Sequence, residues 1–232
     1  MPEPTPLVRA KGLAVGYGAD LASAVCPPIS VRLNPGQCLA VIGANGTGKS
    51  TFLRALAGLL EPLAGRIEAF GRPIDERSAQ FRAYTAIVLD EDAYLPALTT
   101  REHLLLTARG HGVSGVSDLV TDLVEEFGLT DRQDAIPTAL SSGQRRRLLL
   151  AAAFARPRRL LILDEPEQRL DYGMRERLAE RLQAERRDAG GVLMATHDEL
   201  LVRRAATQAL LISEDEVRVV SPEAGAQAIE AL

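Results

Sequence analysis

The feature that most constrains this chain is the octapeptide Gly43-Ala44-Asn45-Gly46-Thr47-Gly48-Lys49-Ser50, which fits G-x-x-x-x-G-K-[ST] at every fixed position. A continuous apolar run, residues 38–42, leads into it, and residues 49–60 follow with helical spacing. Strand, glycine loop and helix in that order make a phosphate cradle. The glycines let successive N–H groups turn inward, and the helix adds its free N–H groups and positive dipole end. Lys49 can then reach the β- and γ-phosphates of a nucleoside triphosphate, and the Ser50 hydroxyl can ligate Mg²⁺. Thr51 continues the same first turn.

Composition sharpens the weight of that lysine. The chain has 232 residues, with 25 arginines but only two lysines, Lys11 and Lys49, so a lysine in a glycine loop stands out. The net charge of −4 offers no basic footprint, and no nucleic-acid partner is expected. The longest apolar run, residues 148–155, is eight residues, well short of the ~18 that cross a bilayer. The opening Met-Pro-Glu-Pro-Thr-Pro does not have the pattern of a secretory signal. Cys26 and Cys38 lie in apolar surroundings without metal-ligand spacing and read as buried thiols. A cytosolic location is expected.

Short strands are expected at 7–15, 25–33, 38–42 and 85–89, with 62–73 broken into turns by Pro62, Gly65, Gly71 and Pro73. Helical patterns then fill 100–108, 118–127 and 144–155. Strands at 160–163, 192–195, 209–213 and 217–220 alternate with helices at 172–188 and 198–205, and 222–232 reads as a terminal helix. The pattern predicts an α/β fold interrupted by an all-helical lobe.

Four further elements carry chemistry. Leu160-Leu161-Ile162-Leu163 ends in Asp164-Glu165-Pro166, an apolar strand delivering two carboxylates. Asp164 is the candidate Mg²⁺ ligand and Glu165 the candidate general base toward an attacking water. Leu140-Ser141-Ser142-Gly143-Gln144 opens a helix and suits either a cap or a phosphate contact. His197, in Ala195-Thr196-His197-Asp198, follows a strand. His103 and His111 have no such context and read as surface or packing residues.

Together these motifs resemble ATP-binding cassette (ABC) proteins, and the similarity covers roughly residues 7–213. Residues 140–144 are similar to the family signature L-S-G-G-Q, with Ser142 in place of one glycine. The resemblance implies a P-loop NTPase (RecA-like) core, about 1–89 and 158–220, with a small antiparallel β subdomain and an inserted α-helical subdomain, about 90–157. It implies ATP and Mg²⁺ as ligands, and assigns catalysis to Glu165, His197 and Lys49. It makes Ser141, Ser142, Gly143 and Gln144 contacts to the ATP held by another copy. His197 matches the switch histidine at the γ-phosphate. Tyr17 matches the aromatic that stacks on adenine, or is a packed strand tyrosine. Asp171 stands at the D-loop, or is only a helix N-cap; the preceding Glu167-Gln168-Arg169 is bulkier and more polar than the family usually has.

One element departs from the family. Where a glutamine is usual, near position 90, the chain has Asp90-Glu91-Asp92. Asp90 is either a further metal ligand or part of a solvated loop shifted in register; a carboxylate does not donate a hydrogen bond as an amide does. The resemblance implies the ATP-hydrolysing subunit of an ABC transporter, a homodimer or pseudo-symmetric dimer serving a separate transmembrane permease at the inner face of the cell membrane. The compact form leans toward export. A soluble or regulatory ABC ATPase, uncoupled from transport, is the alternative.

Overall fold

The computed structural model describes residues 5–89 and 93–231. Ten strands and eight α-helices are described. The strands are β1 (Val8–Ala14), β2 (Ile29–Leu33), β3 (Cys38–Ile42), β4 (Ala64–Ala69), β5 (Arg72–Pro73), β6 (Thr85–Val88), β7 (Leu160–Asp164), β8 (Gly191–Ala195), β9 (Gln208–Ile212) and β10 (Val217–Val220). The helices are α1 (Lys49–Leu56), α2 (Ala79–Tyr84), α3 (Thr100–Gly110), α4 (Val116–Glu126), α5 (Ser142–Phe154), α6 (Tyr172–Arg187), α7 (Glu199–Ala205) and α8 (Pro222–Glu230).

The main sheet has the order β10-β9-β3-β8-β7-β6, parallel except for β10 at one edge. Side chains alternate across it, as the strand period of two requires. Cys38, Ala40, Leu161, Leu163, Val192 and Met194 join one core cluster, together with the buried faces of α3 to α8. Leu39, Val41, Leu160, Ile162 and Leu193 join the other, with Phe52 and Leu53 of α1 and the inner face of the second sheet. That second sheet is antiparallel, in the order β2-β1-β4-β5. Both faces of β3, β7 and β8 are therefore covered, which is why these strands read as unbroken apolar runs.

Several expectations differ from what is found, and the helix expected over residues 49–60 already ends at Leu56. The strand expected at 25–33 starts only at Ile29, since Pro27-Pro28 supplies no N–H to a ladder. The stretch 62–73, expected as turns, contains β4 and β5. Pairing of β4 with β1 across an irregular register overrides the local glycine signal. Helix α2 was not foreseen; Ser78 caps it by accepting from the Phe81 N–H.

Helices α3, α4 and α5 lie between β6 and β7 in sequence and share one apolar cluster with the main sheet. Thr99 opens α3 with a capping box completed by Glu102. His103 is buried and packs there, its Nδ1 accepting from the Leu95 N–H at 3.4 Å. At the far end of α5, Arg158 donates to the carbonyls of Ala153, Phe154 and Arg156 and pairs with Glu185 of α6, both side chains being about nine-tenths buried. Burial pulls the Arg158 pKa down and Glu185 opposes that pull. Removing one partner would leave a desolvated charge. Glu185→Ala should therefore destabilise the fold by about 3–5 kcal/mol, read from the shift in a urea-unfolding midpoint.

Candidate nucleotide site

Strand β3 delivers Gly43 to the carboxyl edge of the sheet, and the loop that follows closes within a few residues. The Thr47 hydroxyl donates to the Ala44 carbonyl at 2.9 Å. Gly43 (φ 149°) and Gly48 (φ 92°) occupy backbone conformations that a side chain would strain. A Cβ on Gly43 would also fall 2.2 Å from the Ile212 carbonyl oxygen. Helix α1 starts directly at Lys49, and no side chain caps it. Its first N–H groups and dipole are thus presented to the loop's own cavity, as an anion site requires.

Lys49 is 5% exposed, and its ammonium donates to the carbonyls of Gly43 and Ala44 at 2.9 Å each. Burial lowers its pKa, while Glu165, Asp164 and Glu167 raise it in return. The lysine therefore faces the carboxylates at the end of β7, two strands along from β3. Val41 of β3 and Asp164 of β7 both pair with Ala195 of β8, so parallel register brings the three strand ends level. Asp164 is 2% exposed at the end of β7.

Glu165 follows in a left-handed conformation (φ 45°), its N–H donating to the Ala195 carbonyl at 2.9 Å. Its Oε1 lies 3.6 Å from His197 Nε2. Burial, then the Lys49 charge, push the His197 pKa down; Glu165 and Asp164 act in the opposite sense. His197 is thus held toward its neutral form, in which one ring nitrogen donates a hydrogen bond and the other accepts one. Ser50 is exposed at the start of α1 and Thr51 is buried behind it. The segment between Val15 and Val25 is closed by the Val25 N–H donating to the Val15 carbonyl at 2.9 Å. Tyr17 lies in that segment, 67% exposed in a bend, so it is not the packed strand tyrosine that was one of two expectations. Val25 abuts the loop; a Cβ on Gly48 would meet its Cγ2 at 2.7 Å.

Ser141 caps α5, accepting from the Gln144 N–H at 3.2 Å, and Gln144 Oε1 accepts from the Ser141 N–H at 2.9 Å. Ser142 is exposed in the first turn. Asp171 caps α6 by accepting from the Met174 N–H at 2.9 Å, which also holds its carboxyl below the usual range. The acidic run Asp90-Glu91-Asp92 lies outside the described residues.

The sequence reading missed how α5 grips the end of β7. Arg146, 7% exposed, donates to the carbonyls of Asp164 and Glu165, and its other nitrogen reaches the Leu89 carbonyl at 3.4 Å. Arg147 pairs with Asp171. The run Arg145-Arg146-Arg147 was the available signal, but three adjacent arginines on a helix read equally well as a solvated face.

A donor set of one buried carboxylate and one hydroxyl, Asp164 and Ser50, suits Mg²⁺, which keeps several waters and takes its remaining ligands from phosphate. Among the described residues no cluster of three or more His, Cys, Asp or Glu could hold a metal by itself.

The ABC transporter family model matches residues 26–168. The chain is 37% identical over 171 residues to a Nod factor export ATP-binding protein I of Paraburkholderia xenovorans, covering 73% of this chain and 56% of that protein. It is 31% identical over 214 residues to the ABC-type transporter ATP-binding protein EcsA of Bacillus subtilis, covering 91% and 85%. A solved ATP-binding subunit of an ABC transporter superposes with a TM-score of 0.83 at 28% identity, over 93% of this chain and 90% of that one. The chain belongs to the ABC transporter family and is an ABC nucleotide-binding domain with a P-loop NTPase fold. It spans little more than half the length of the Nod factor relatives it matches.

The contact between Gly143 and the Arg169 carbonyl is open to test. An added Cβ would sit 2.7 Å from that oxygen. Gly143→Ala should lower stability by about 1–3 kcal/mol, whereas Ser142→Ala, at an exposed neighbour, should stay within about 0.5 kcal/mol. Urea unfolding of the two variants makes the comparison.

Proposed function

We propose that the chain binds and hydrolyses MgATP as the energy-coupling subunit of a membrane transporter. The observation that carries this reading is the convergence of the Lys49 ammonium, the buried Asp164 carboxylate, Glu165 and His197 at one edge of the sheet. The fit rests also on the uncapped start of α1, where backbone N–H groups remain for phosphate oxygens.

In this reading Lys49 and the first N–H groups of α1 bind and orient the β- and γ-phosphates. Residues 43–51 supply the cradle, and exposed Tyr17 stacks on the adenine. Ser50 and Asp164 would hold Mg²⁺, which would neutralise charge on the phosphates. Glu165 accepts a proton from the attacking water. His197 donates to the γ-phosphate oxygens. Ser141, Ser142, Gly143 and Gln144 present the start of α5 to the nucleotide of a second copy, and Asp171 adjoins that interface. Two copies then enclose two nucleotides in an isologous dimer. The division into a core, about 1–89 and 158–220, and a helical lobe, about 90–157, belongs to the same reading.

Among the described residues no helix is long and apolar enough to cross a membrane. In this reading the permease is a separate chain, with this subunit docked at its cytoplasmic face, and relatives named as ATP-binding proteins of an export system and of a transporter support it. A groove at the junction of β6 with the inserted helices, lined by Ile87, Leu89, His103, Thr107, Ala152 and Arg156, is the surface proposed to receive it. Export is the favoured direction because several relatives carry that word in their names.

Two tests follow from these roles. Lys49→Ala should remove hydrolysis and weaken nucleotide binding, while Glu165→Gln should bind MgATP, lose roughly 10²–10⁴-fold in turnover and accumulate as dimer on size exclusion. Parental turnover in either variant rejects its assigned role. The shared site is tested by mixing Ser141→Arg with Lys49→Ala. Each damages a different half of a composite site, so the mixture should regain part of the activity both lack alone. No recovery at any ratio rejects the shared arrangement.

A further inference from the structure

The three residues after Pro166 are the part of the loop that the ABC resemblance leaves unexplained. Glu167, Gln168 and Arg169 replace what are usually smaller residues, and the structure gives two of them specific partners. The Gln168 N–H donates to the Glu165 carbonyl at 3.0 Å, closing a tight turn. Its side chain then returns to the same residue, Nε2 donating to Glu165 Oε2 at 2.9 Å. Glu165 is thus held by Gln168 at both its carbonyl and its carboxylate. Because an ionised carboxylate only accepts, the amide must present its NH₂ rather than its oxygen.

The other carboxylate oxygen, Oε1, is the one directed toward His197 Nε2, 3.6 Å away. Glu167 fixes that side of the pair. Its Oε1 accepts from the His197 backbone N–H at 2.8 Å, tying the loop after β7 to the loop after β8. The turn has little freedom to relax, because Glu165 (φ 45°) and Arg169 (φ 63°) are both left-handed and the Arg169 carbonyl is packed against Gly143.

From this geometry we propose that Gln168 is a positioning residue for ATP hydrolysis: its side-chain amide holds one oxygen of Glu165 so that the other faces the site of water attack beside His197. The inference rests on Glu165 being the general base. Gln168 acts through Glu165, to which its side chain is bonded, by selecting one rotamer of that residue. A freely rotating carboxylate would still be basic, but it would spend most of its time misdirected, and misplacements of about 1 Å at a reacting group cost up to ~10²-fold in rate.

The test uses the full chain, with steady-state MgATP hydrolysis, equilibrium binding of a fluorescent ATP analogue and thermal unfolding measured in parallel. Gln168→Met keeps the length and removes the donor, and Gln168→Ala guards against a new contact made by the thioether. Both should lower kcat by about ten- to a hundredfold, with KM, nucleotide affinity and melting midpoint unchanged. In a Glu165→Gln background, Gln168→Met should cause no further loss, since the residue it positions has already been disabled.

Unchanged or raised kcat in both single variants overturns the proposal, as does a loss that follows weaker nucleotide binding or a lower melting midpoint. The same fold-loss on top of Glu165→Gln also overturns it, by showing that Gln168 acts elsewhere. Failure of the underlying assignment is read separately: parental turnover in Glu165→Gln alone removes the base, and the positioning role with it.

Discussion

The carboxyl edge of a buried parallel sheet is the constraint on which the site depends. Strands β3, β7 and β8 are fully buried, and their parallel register is held by hydrogen bonds that cannot slip without turning every apolar side chain to the wrong face. Where they stop is therefore settled by packing far from any ligand. Gly43, Asp164 and Thr196 then lie on adjacent strand ends, and Lys49, Glu165 and His197 each follow within a few residues. In open α/β sheets ligands gather outside such an edge. Here burial also leaves the Lys49 ammonium little choice of partner except loop carbonyls and neighbouring carboxylates.

A second layer of contacts joins that edge to the inserted helices. The Arg146 guanidinium spans the carbonyls of Asp164 and Glu165 and reaches Leu89, so one side chain of α5 touches the ends of both β6 and β7. Arg147 pairs with the residue that caps α6. The planar fork of arginine suits this work better than lysine would, because one rigid group reaches several acceptors at once. Start of α5, end of β7 and start of α6 are thus fastened to one another around Gly143 and the Arg169 carbonyl.

Much of this was legible from residue pattern. The phosphate loop was clear because glycine spacing, a preceding apolar run and a following helix all agree on one geometry. Helices α3 to α6 and the buried strands fell close to where periodicity placed them. What failed was local signal that long-range pairing overrode: Gly65 looked like a breaker, yet it lies inside β4, which found a partner in β1, whereas Gly71 does turn the chain between β4 and β5. Tyr17 could not be assigned from spacing, because strand and bend differ there by one or two residues. The roles of Arg146 and Gln168 were invisible for a different reason. Each acts through backbone carbonyls or a single neighbouring carboxylate, and such partners leave no periodic trace in the sequence.

The near absence of lysine has a chemical consequence beyond charge. Lys11 is exposed on the antiparallel sheet, whereas Lys49 is shielded beneath the phosphate loop. Arginine, always protonated, is a poor nucleophile toward acylating reagents. The side-chain amines of this chain thus reduce to one open position and one guarded one. Acylation at Lys49 therefore measures how often its loop parts to expose the amine, with Lys11 in the same molecule as the internal standard.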